Sequence, residues 1–457
     1  MKLAVLGGGG VRVPLFVRGV LSRPPVFDEI CLFEPDALRR ETTGRLAAEL
    51  AGPLGRPGVV RVTADVQEAF SGADFVFSAI RVGGDGGRVI DEDVALRRGL
   101  VGQETTGPGG CAMALRTIPV VLSYCELIAR YSPGAVLINF TNPAGLITQA
   151  ISQHARVRAV GVCDTPSGTV DRLREFLGAG REEIAFSYSG LNHLGWVSSL
   201  TVGGEEQMGK LLARYEELQR FDHRFAAFDA GLVRMIRAIP TEYVYYFYEP
   251  QRYVDAIARA GASRGAGVRR LNAELLGGIA KAFEAGDVHD AWSAYSALMG
   301  IRHDSYMRGD MEGAPMPEPV AGALRAPATA ESSGYEAIAL QVIEGLTARK
   351  AGKVIVNTRN GATLSFLDPD DVVEVPAHVD GGGVAPLAAD ELPGSVQGLI
   401  TRVKEYERQV VNAAVSGDAE LAALALALHP LVPGVTVAKE MMSEYRERHG
   451  PHLAYLR

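Results

Sequence analysis

The chain has 457 residues, 47% of them hydrophobic and 22% charged, with a net charge of −8 at pH 7; this disfavours nucleic acid or an anionic membrane as a partner. The length predicts roughly two to three domain-sized units, no apolar run reaches the roughly 18 residues that span a bilayer, and the N-terminal apolar run is too short for a signal peptide. Four cysteines in so long a chain do not form a disulfide framework, so we expect a cytoplasmic protein with free thiols.

Strands and helices alternate along the first half of the chain. Near-continuous apolar runs predict strands at residues 3–6, 29–34, 59–63, 73–80, 135–140 and 158–162. Helices are predicted at 14–21, 36–50 and 112–130, after Pro143 and Pro166, and as a short helix after Asp65. This alternation is typical of an α/β protein with a Rossmann-type, doubly wound parallel sheet, in which ligands bind beyond the carboxyl ends of the strands.

The second half has a different character. It is predicted to be mostly helical, at 205–218, 223–238, 266–285, 333–351 and 398–448. A strand-rich stretch is predicted at 353–379, with a hairpin at Asn360-Gly361, and 304–331 is predicted to be a surface excursion. We therefore predict a dinucleotide-binding domain over 1–195 and an α+β catalytic or substrate domain over 196–457.

The first strand ends in a glycine-rich loop that indicates a nucleotide site. A dinucleotide fingerprint would place glycines at positions 7, 9 and 12, and the chain has Gly7, Gly9 and Arg12, with Gly10 beside them. The glycines allow a tight turn and close approach of a pyrophosphate. We predict that Gly7, Gly9, Gly10 and Arg12 bind NAD. Glu34, which ends the next strand, would bind the ribose hydroxyls and favour NAD over NADP; the alternative is a tight turn without a ligand.

Cys163 and His193 each follow a strand-like apolar run, in the segments VGVCDTP and GLNHLGW. A thiolate and an imidazole can share one divalent cation if further oxygen ligands come from substrate or water. The alternatives are a buried structural cysteine and a hydrogen-bonded core histidine. A metal beside a nicotinamide would suggest chemistry on a carbon that bears a hydroxyl group.

Four segments together resemble glycoside hydrolase family 4: GQETTGPGG at 102–110, NFTNPA at 139–144, the segment around Cys163 and NHLGW at 192–196. The similarity extends over essentially the whole chain. It implies an NAD- and manganese-dependent glycosidase with a fold related to lactate and malate dehydrogenases. Relatives of this fold assemble as dimers or tetramers, so a homodimer or homotetramer is expected.

The resemblance also implies roles for individual residues. Cys163 and His193 match the metal ligands of the family, and Tyr243 matches its catalytic base. The residues that match substrate contacts are Arg88, Asn142 and Arg264. In the members that act on phosphorylated sugars, such groups surround the 6-phosphate, an anion that suits the planar fork of arginine.

The chemistry that the resemblance implies begins when NAD⁺ takes hydride from C3 of the sugar. The ketone, polarised by the metal, makes the C2 proton acidic, and Tyr243 removes it. Elimination then expels the aglycone, water adds at C1, and NADH returns its hydride. The implied substrate is a small phosphorylated glycoside, and there is no net redox change.

Asp164, which follows the proposed metal cysteine, bears on the anomer. The overall motif style is similar to the 6-phospho-β-glucosidases, whereas Cys-Asp-x-Pro resembles the 6-phospho-α-glucosidases, in which the aspartate is the acid for the leaving group. We predict a 6-phospho-β-glucosidase, with the α-specific enzyme as the alternative. Two further hypotheses are a hydroxy-acid dehydrogenase, which would accumulate NADH, and a non-catalytic regulator, for which Tyr243 would be dispensable.

Overall fold

A computed structural model describes residues 1–317 and 334–457. In the first half, the strands are β1 (Lys2–Leu6), β2 (Glu29–Phe33), β3 (Val60–Thr63), β4 (Phe75–Ser78), β5 (Val136–Asn139) and β6 (Arg158–Gly161). They are parallel, in the order β3-β2-β1-β4-β5-β6. This is the order of dinucleotide-binding sheets, which confirms the predicted fold class.

Helices cover both faces of this sheet. They are α1 (Val13–Leu21), α2 (Ala37–Arg39), α3 (Arg45–Glu49), α4 (Val66–Phe70), α5 (Gly84–Leu96), α6 (Gly107–Tyr131), α7 (Ala144–His154) and α8 (Thr165–Leu177), with a π-helical turn at Arg40–Gly44. The strands alternate between two cores: Leu3 and Val5 pack on one face, and Ala4 and Leu6 on the other. Burial on both faces explains the near-continuous apolar strands.

The sequence analysis missed α5. Its segment is rich in glycine and begins after Gly83, which has φ +80°. Its buried face includes three charged residues, Arg88, Asp91 and Glu92, which interrupt the apolar pattern of a helix. The helix predicted at 112–130 instead spans Gly107–Tyr131. It begins earlier because Pro108 occupies its first turn.

Helix α6 also corrects the prediction that no apolar run is long enough to span a bilayer. Among the described residues, α6 is long and apolar enough by composition to do so. However, 61% of its most apolar window is buried inside the fold, and its residues Cys111, Leu115 and Ile118 lie in the main core. Helix α6 is therefore a long apolar helix of the protein core, although its length and composition would also allow it to cross a membrane.

The second half extends the same sheet with antiparallel strands. These are β7 (Ile184–Leu191), β8 (Leu194–Val202), β9 (Glu205–Glu206), β10 (Ile239–Pro240), β11 (Gly352–Arg359), β12 (Val372–Asp380) and β13 (Gly383–Pro386). Strand β11 pairs with β6, and β12 pairs with both β11 and β7. One sheet thus contains strands from both sides of residue 195, and the division into 1–195 and 196–457 stays a prediction.

The helices of the second half lie around this extension. They are α9 (Met208–Ala213), α10 (Tyr215–Phe221), α11 (Ala230–Ile236), α12 (Tyr245–Tyr248), α13 (Pro250–Ala260), α14 (Arg264–Glu284), α15 (Val288–Asp304), α16 (Arg308–Glu312), α17 (Gly334–Leu346), α18 (Gly394–Ser416), α19 (Ala419–Leu428) and α20 (Val435–His449). The helices predicted at 205–218, 223–238 and 398–448 are each broken into shorter pieces. Of the predicted excursion at 304–331, residues 318–331 lie outside the described residues.

The predicted hairpin at Asn360-Gly361 is wrong in detail. Strands β11 and β12 are antiparallel, but residues 360–371 connect them as a longer loop. The reason is the buried side chain of Asn360, which donates to the carbonyls of Leu364, Leu367 and Asp368 and accepts from the Leu364 N–H. These bonds replace the strand ladder that the sequence pattern predicted.

Candidate active site

The glycine loop lies where β1 ends and α1 begins. Gly7 has φ +88°, and the Gly10 N–H donates to the Gly7 carbonyl at 2.9 Å. A Cβ on Gly8 would come within 2.6 Å of Leu32, and one on Gly9 within 2.7 Å of Glu34. The backbone is therefore packed as closely as a dinucleotide loop requires.

Glu34 is tied to this loop. Its carboxylate accepts from the Gly9 N–H at 3.0 Å and from the Asp36 N–H at 3.1 Å, and burial raises its pKa. Arg12 lies on the other side, with Nη1 3.9 Å from Asp164 Oδ2. The structure thus brings together four of the residues predicted to bind NAD: Gly7, Gly9, Gly10 and Glu34. The fifth, Arg12, lies between the glycine loop and the segment that follows β6.

Cys163 and His193 come together beyond the carboxyl end of β6. Cys163 Sγ is 3.7 Å from His193 Nε2, and each residue is 6% exposed. His193 lies in the β7–β8 turn with φ +65°, a left-handed conformation that is unusual for a histidine. Such backbone strain is typically kept at functional sites.

The electrostatics of the pair match a metal site. Burial lowers the pKa of His193 to about 4, so its imidazole is neutral. Burial, together with Glu374 and Asp164, raises the pKa of Cys163; a coordinating cation would act in the opposite direction and favour the thiolate.

Within residues 1–317 and 334–457, no group of three or more His, Cys, Asp or Glu side chains could hold a metal. Two protein ligands leave coordination positions for substrate or water, as a catalytic site needs. A sulfur and an imidazole nitrogen are also donors that divalent transition metals accept.

Tyr243 lies directly against this pair. Its ring stacks on the His193 ring with centroids 3.8 Å apart and an interplanar angle of 7°. Burial raises the pKa of Tyr243. The nearby Tyr306 hydroxyl donates its one proton to Glu242 Oε1 at 3.3 Å, and burial raises the pKa of Glu242 to about 7.

Arg88 is buried in an ion-pair network. Its guanidinium contacts Glu92 at 2.8 Å and Glu104 at 3.0 Å, and Arg81 contacts Glu104 at 2.6 Å. Burial raises the pKa of Glu104, but Arg81, Arg88 and Arg302 together outweigh it and hold the pKa at about 2. Glu104 therefore stays ionised and keeps Arg81 and Arg88 in place.

Arg302, at the end of α15, is a site residue that the sequence analysis missed. Desolvation lowers its pKa to about 9, and the positive charges of Arg12, Arg88 and Arg264 act in the same direction. Glu104 opposes them. Arg264 lies beside it, donating to the Arg302 carbonyl at 3.2 Å and stacking its guanidinium 5.5 Å from the Tyr306 ring centroid.

Asn142 completes the residues predicted to touch substrate. It follows β5, and its Oδ1 is buried without a hydrogen-bond partner in the described part of the chain. A buried acceptor without a partner is available to accept a hydrogen bond from a ligand, for example from a sugar hydroxyl. For Arg302 and Tyr306 no sequence motif was present; Glu104 lay inside the motif at 102–110, but its side-chain role was not foreseen.

Comparison with known families decides the classification. The model of the family 4 glycosyl hydrolases matches residues 2–179, and the model of the C-terminal domain of the same family matches residues 188–432. The chain belongs to glycosyl hydrolase family 4. The predicted resemblance and the prediction of a glycoside hydrolase are thereby confirmed.

Individual members of family 4 resemble the chain over nearly its whole length. A probable 6-phospho-beta-glucosidase of Bacillus subtilis is 28% identical, covering 99% of this chain and 97% of the relative. A 6-phospho-alpha-glucosidase of Lacticaseibacillus paracasei is 25% identical, covering 97% and 96%. The structure of the 6-phospho-beta glucosidase of Thermotoga maritima with manganese, NAD⁺ and glucose-6-phosphate superposes with a TM-score of 0.79 at 27% identity, covering 98% of each chain.

The predicted similarity to the fold of malate dehydrogenases is confirmed. Malate dehydrogenase of Plasmodium falciparum superposes with a TM-score of 0.51 at 11% identity, covering 91% of this chain and 99% of that one. The family 4 chain therefore keeps a dehydrogenase architecture.

Proposed function

We propose that this family 4 enzyme hydrolyses 6-phosphoglycosides, with 6-phospho-β-glucosides preferred, using NAD and Mn²⁺ or another divalent metal. The observation that carries the proposal is a cluster of arginines: Arg264 donates to the Arg302 carbonyl at 3.2 Å, and the positive charges of Arg12, Arg88 and Arg264 all act on the Arg302 guanidinium. Binding of a dianionic phosphate would stabilise the charged Arg302 guanidinium, because the phosphate offsets the repulsion from the neighbouring arginines. The substrates named for the relatives are of this class.

The residues present fit both cofactors. The glycine loop and Glu34 would hold NAD, and Cys163 and His193 would hold the metal. When bound, NAD would supply hydride transfer at the sugar and the metal Lewis acidity at its oxygens. Arg88, Asn142 and Arg264 would orient the phosphorylated sugar between them.

Tyr243 would take the proton from C2 of the sugar. Its flat contact with His193 keeps the hydroxyl beside the proposed metal ligands. An ordinary phenol, with a pKa near 10, is a poor base at neutral pH, and burial makes it poorer here, so positive charge close to the oxygen is needed to ionise it.

Asp164 leaves a specific second candidate, a 6-phospho-α-glucosidase. In the structure its carboxylate is 38% exposed and lies 3.9 Å from the Arg12 guanidinium. It could protonate a leaving oxygen from that side. A relative of each anomeric class matches nearly the whole chain, so the anomer is tested directly below.

Release of p-nitrophenol from four glucosides tests the proposal: the α and β anomers, each with and without the 6-phosphate, in the presence of NAD⁺ and Mn²⁺. We expect the phosphorylated β anomer to react fastest and no NADH to accumulate. Faster release from the phosphorylated α anomer would favour the second candidate. Stoichiometric NADH would instead indicate a dehydrogenase, and equal rates with and without phosphate would overturn the proposed substrate class.

Replacing Arg302 by Met should raise KM for the phosphorylated substrate by about 10- to 100-fold, because a hydrogen bond to a charged group contributes about 1.5–3 kcal/mol. Steady-state kinetics on phosphorylated and unphosphorylated substrates measure the effect. Arg97→Met is a matched control, since Arg97 lies at the exposed end of α5 with its side chain 56% exposed. An unchanged KM in Arg302→Met would remove Arg302 from the phosphate site.

We also infer a cytoplasmic homodimer or homotetramer. The four cysteines are all buried free thiols, which fits a reducing compartment. Helix α19 is apolar, and Leu424 and Leu428 on it are each 40% exposed, as expected of a helix that contributes to a subunit interface.

A further inference from the structure

The imidazole of His193 is held from behind by a chain of hydrogen bonds. His193 Nδ1 lies 2.9 Å from Thr105 Oγ1, and that hydroxyl lies 2.9 Å from Gln103 Oε1. The same Gln103 oxygen accepts from the backbone N–H groups of Thr105 at 2.6 Å and Thr106 at 2.7 Å. All of these contacts are buried.

The two backbone N–H groups fix the direction of every proton in this chain. Because a backbone N–H can only donate, the Gln103 atom that meets both must be its oxygen, which only accepts. The Thr105 hydroxyl must therefore give its one proton to Gln103, and it is left as an acceptor toward His193. His193 Nδ1 consequently carries the imidazole proton, and Nε2 presents a lone pair to Cys163.

We propose that Gln103 and Thr105 are positioning residues that lock His193 in the Nδ1–H tautomer and so aim Nε2 at the metal. The inference rests on the proposed metal site at Cys163 and His193. Gln103 and Thr105 would then orient His193, whereas Glu104, which lies between them in the chain, forms ion pairs with Arg81 and Arg88. The tautomer of a ligand histidine is set by the bond that its other nitrogen makes.

The start of α6 keeps this chain rigid. Gly109 and Gly110 pack directly on the loop, and a Cβ on either would collide with the carbonyl of Gln103 or Thr105. Only glycine permits so close an approach between the helix and residues 103–105. The backbone from which the Gln103 and Thr105 side chains project is therefore held against the start of α6.

Mn²⁺ affinity of the whole enzyme, measured from the electron paramagnetic resonance signal of free Mn²⁺, tests the proposal. Thr105→Val removes the hydroxyl at nearly constant volume, and we expect Mn²⁺ to bind about 10- to 100-fold more weakly, the usual effect of losing such a partner. Thr105→Ser keeps the hydroxyl and should bind like the wild type. Gln103→Glu keeps the acceptor and should do likewise, whereas Gln103→Leu should weaken binding as Thr105→Val does.

A second readout needs no metal. In the metal-free enzyme labelled with ¹⁵N-histidine, the protonated Nδ1 signal that His193→Gln removes should be present in the wild type and lost or diminished in Thr105→Val. Unchanged Mn²⁺ affinity and an unchanged signal in Thr105→Val would overturn the inference. If Cys163→Ala, which removes the donor atom altogether, binds Mn²⁺ as tightly as the wild type, the proposed metal site itself fails, which distinguishes the two failures.

Discussion

Replacing Tyr243 by Phe should lower kcat by about 10²- to 10⁴-fold, the range that a general base contributes, while NAD and Mn²⁺ still bind. The phenyl ring can keep its stacking on His193, so the substitution removes only the hydroxyl that would take the C2 proton. Steady-state kinetics and exchange of the C2 hydrogen with deuterated water measure the effect. We expect both turnover and exchange to be lost together.

Tyr245→Phe is the control for that experiment. Tyr245 is also a buried tyrosine, and its hydroxyl donates to the carbonyl of Asp310 at 3.1 Å, away from the His193 ring. Its loss should lower the free energy of unfolding by about 1 kcal/mol and leave kcat near the wild-type value. A Tyr243→Phe enzyme that keeps wild-type turnover would exclude the phenol as the base.

Replacing Cys163 by Ala should reduce both Mn²⁺ affinity and kcat/KM by more than about 100-fold, which is the upper range for losing an outer partner of a metal ligand. The site has only two protein ligands among the described residues, so the loss of one leaves His193 alone. Mn²⁺ titration of the metal-free enzyme and activity after metal add-back measure the two effects. Excess Mn²⁺ should restore part of the activity.

Cys111→Ala is the matched control because Cys111 is also buried, but it lies on α6 in the main hydrophobic core. Burial there raises the pKa of its thiol to about 12. The variant should lose stability through the small cavity it creates and keep its metal affinity. If Cys163→Ala binds Mn²⁺ as the wild type does, the metal lies elsewhere and the role of His193 must be reassigned.

Local sequence patterns predicted much of the fold because the parallel strands are buried on both faces. The apolar runs around Leu3 and Ile138 are readable without any knowledge of their partners. The hairpin at Asn360 failed for a reason that no pattern shows, namely that its side chain bonds to the loop instead of facing solvent. Helix α5 was missed because its buried face carries Arg88, Asp91 and Glu92 beside only a few apolar residues.

The site was predictable only where residues follow strands of the sheet or lie in long motifs. Cys163 lies two residues after the end of β6, so its place at the carboxyl edge of the sheet follows from the topology. Arg302 and Tyr306 instead reach the site from the end of α15, through tertiary packing that spacing along the chain does not encode. The left-handed backbone of His193 likewise depends on the turn between β7 and β8.

The pairing of β11 with β6 and of β12 with β7 has a mechanical consequence. Backbone hydrogen bonds at Asn357 opposite Gly161 and at Glu374 opposite Gly190 join the strand before Cys163 to the strand before His193. Backbone pairing therefore runs without a break from β6 through β11 and β12 to β7, beneath the two proposed ligands. A movement of the strand before Cys163 away from the strand before His193 would have to break this pairing.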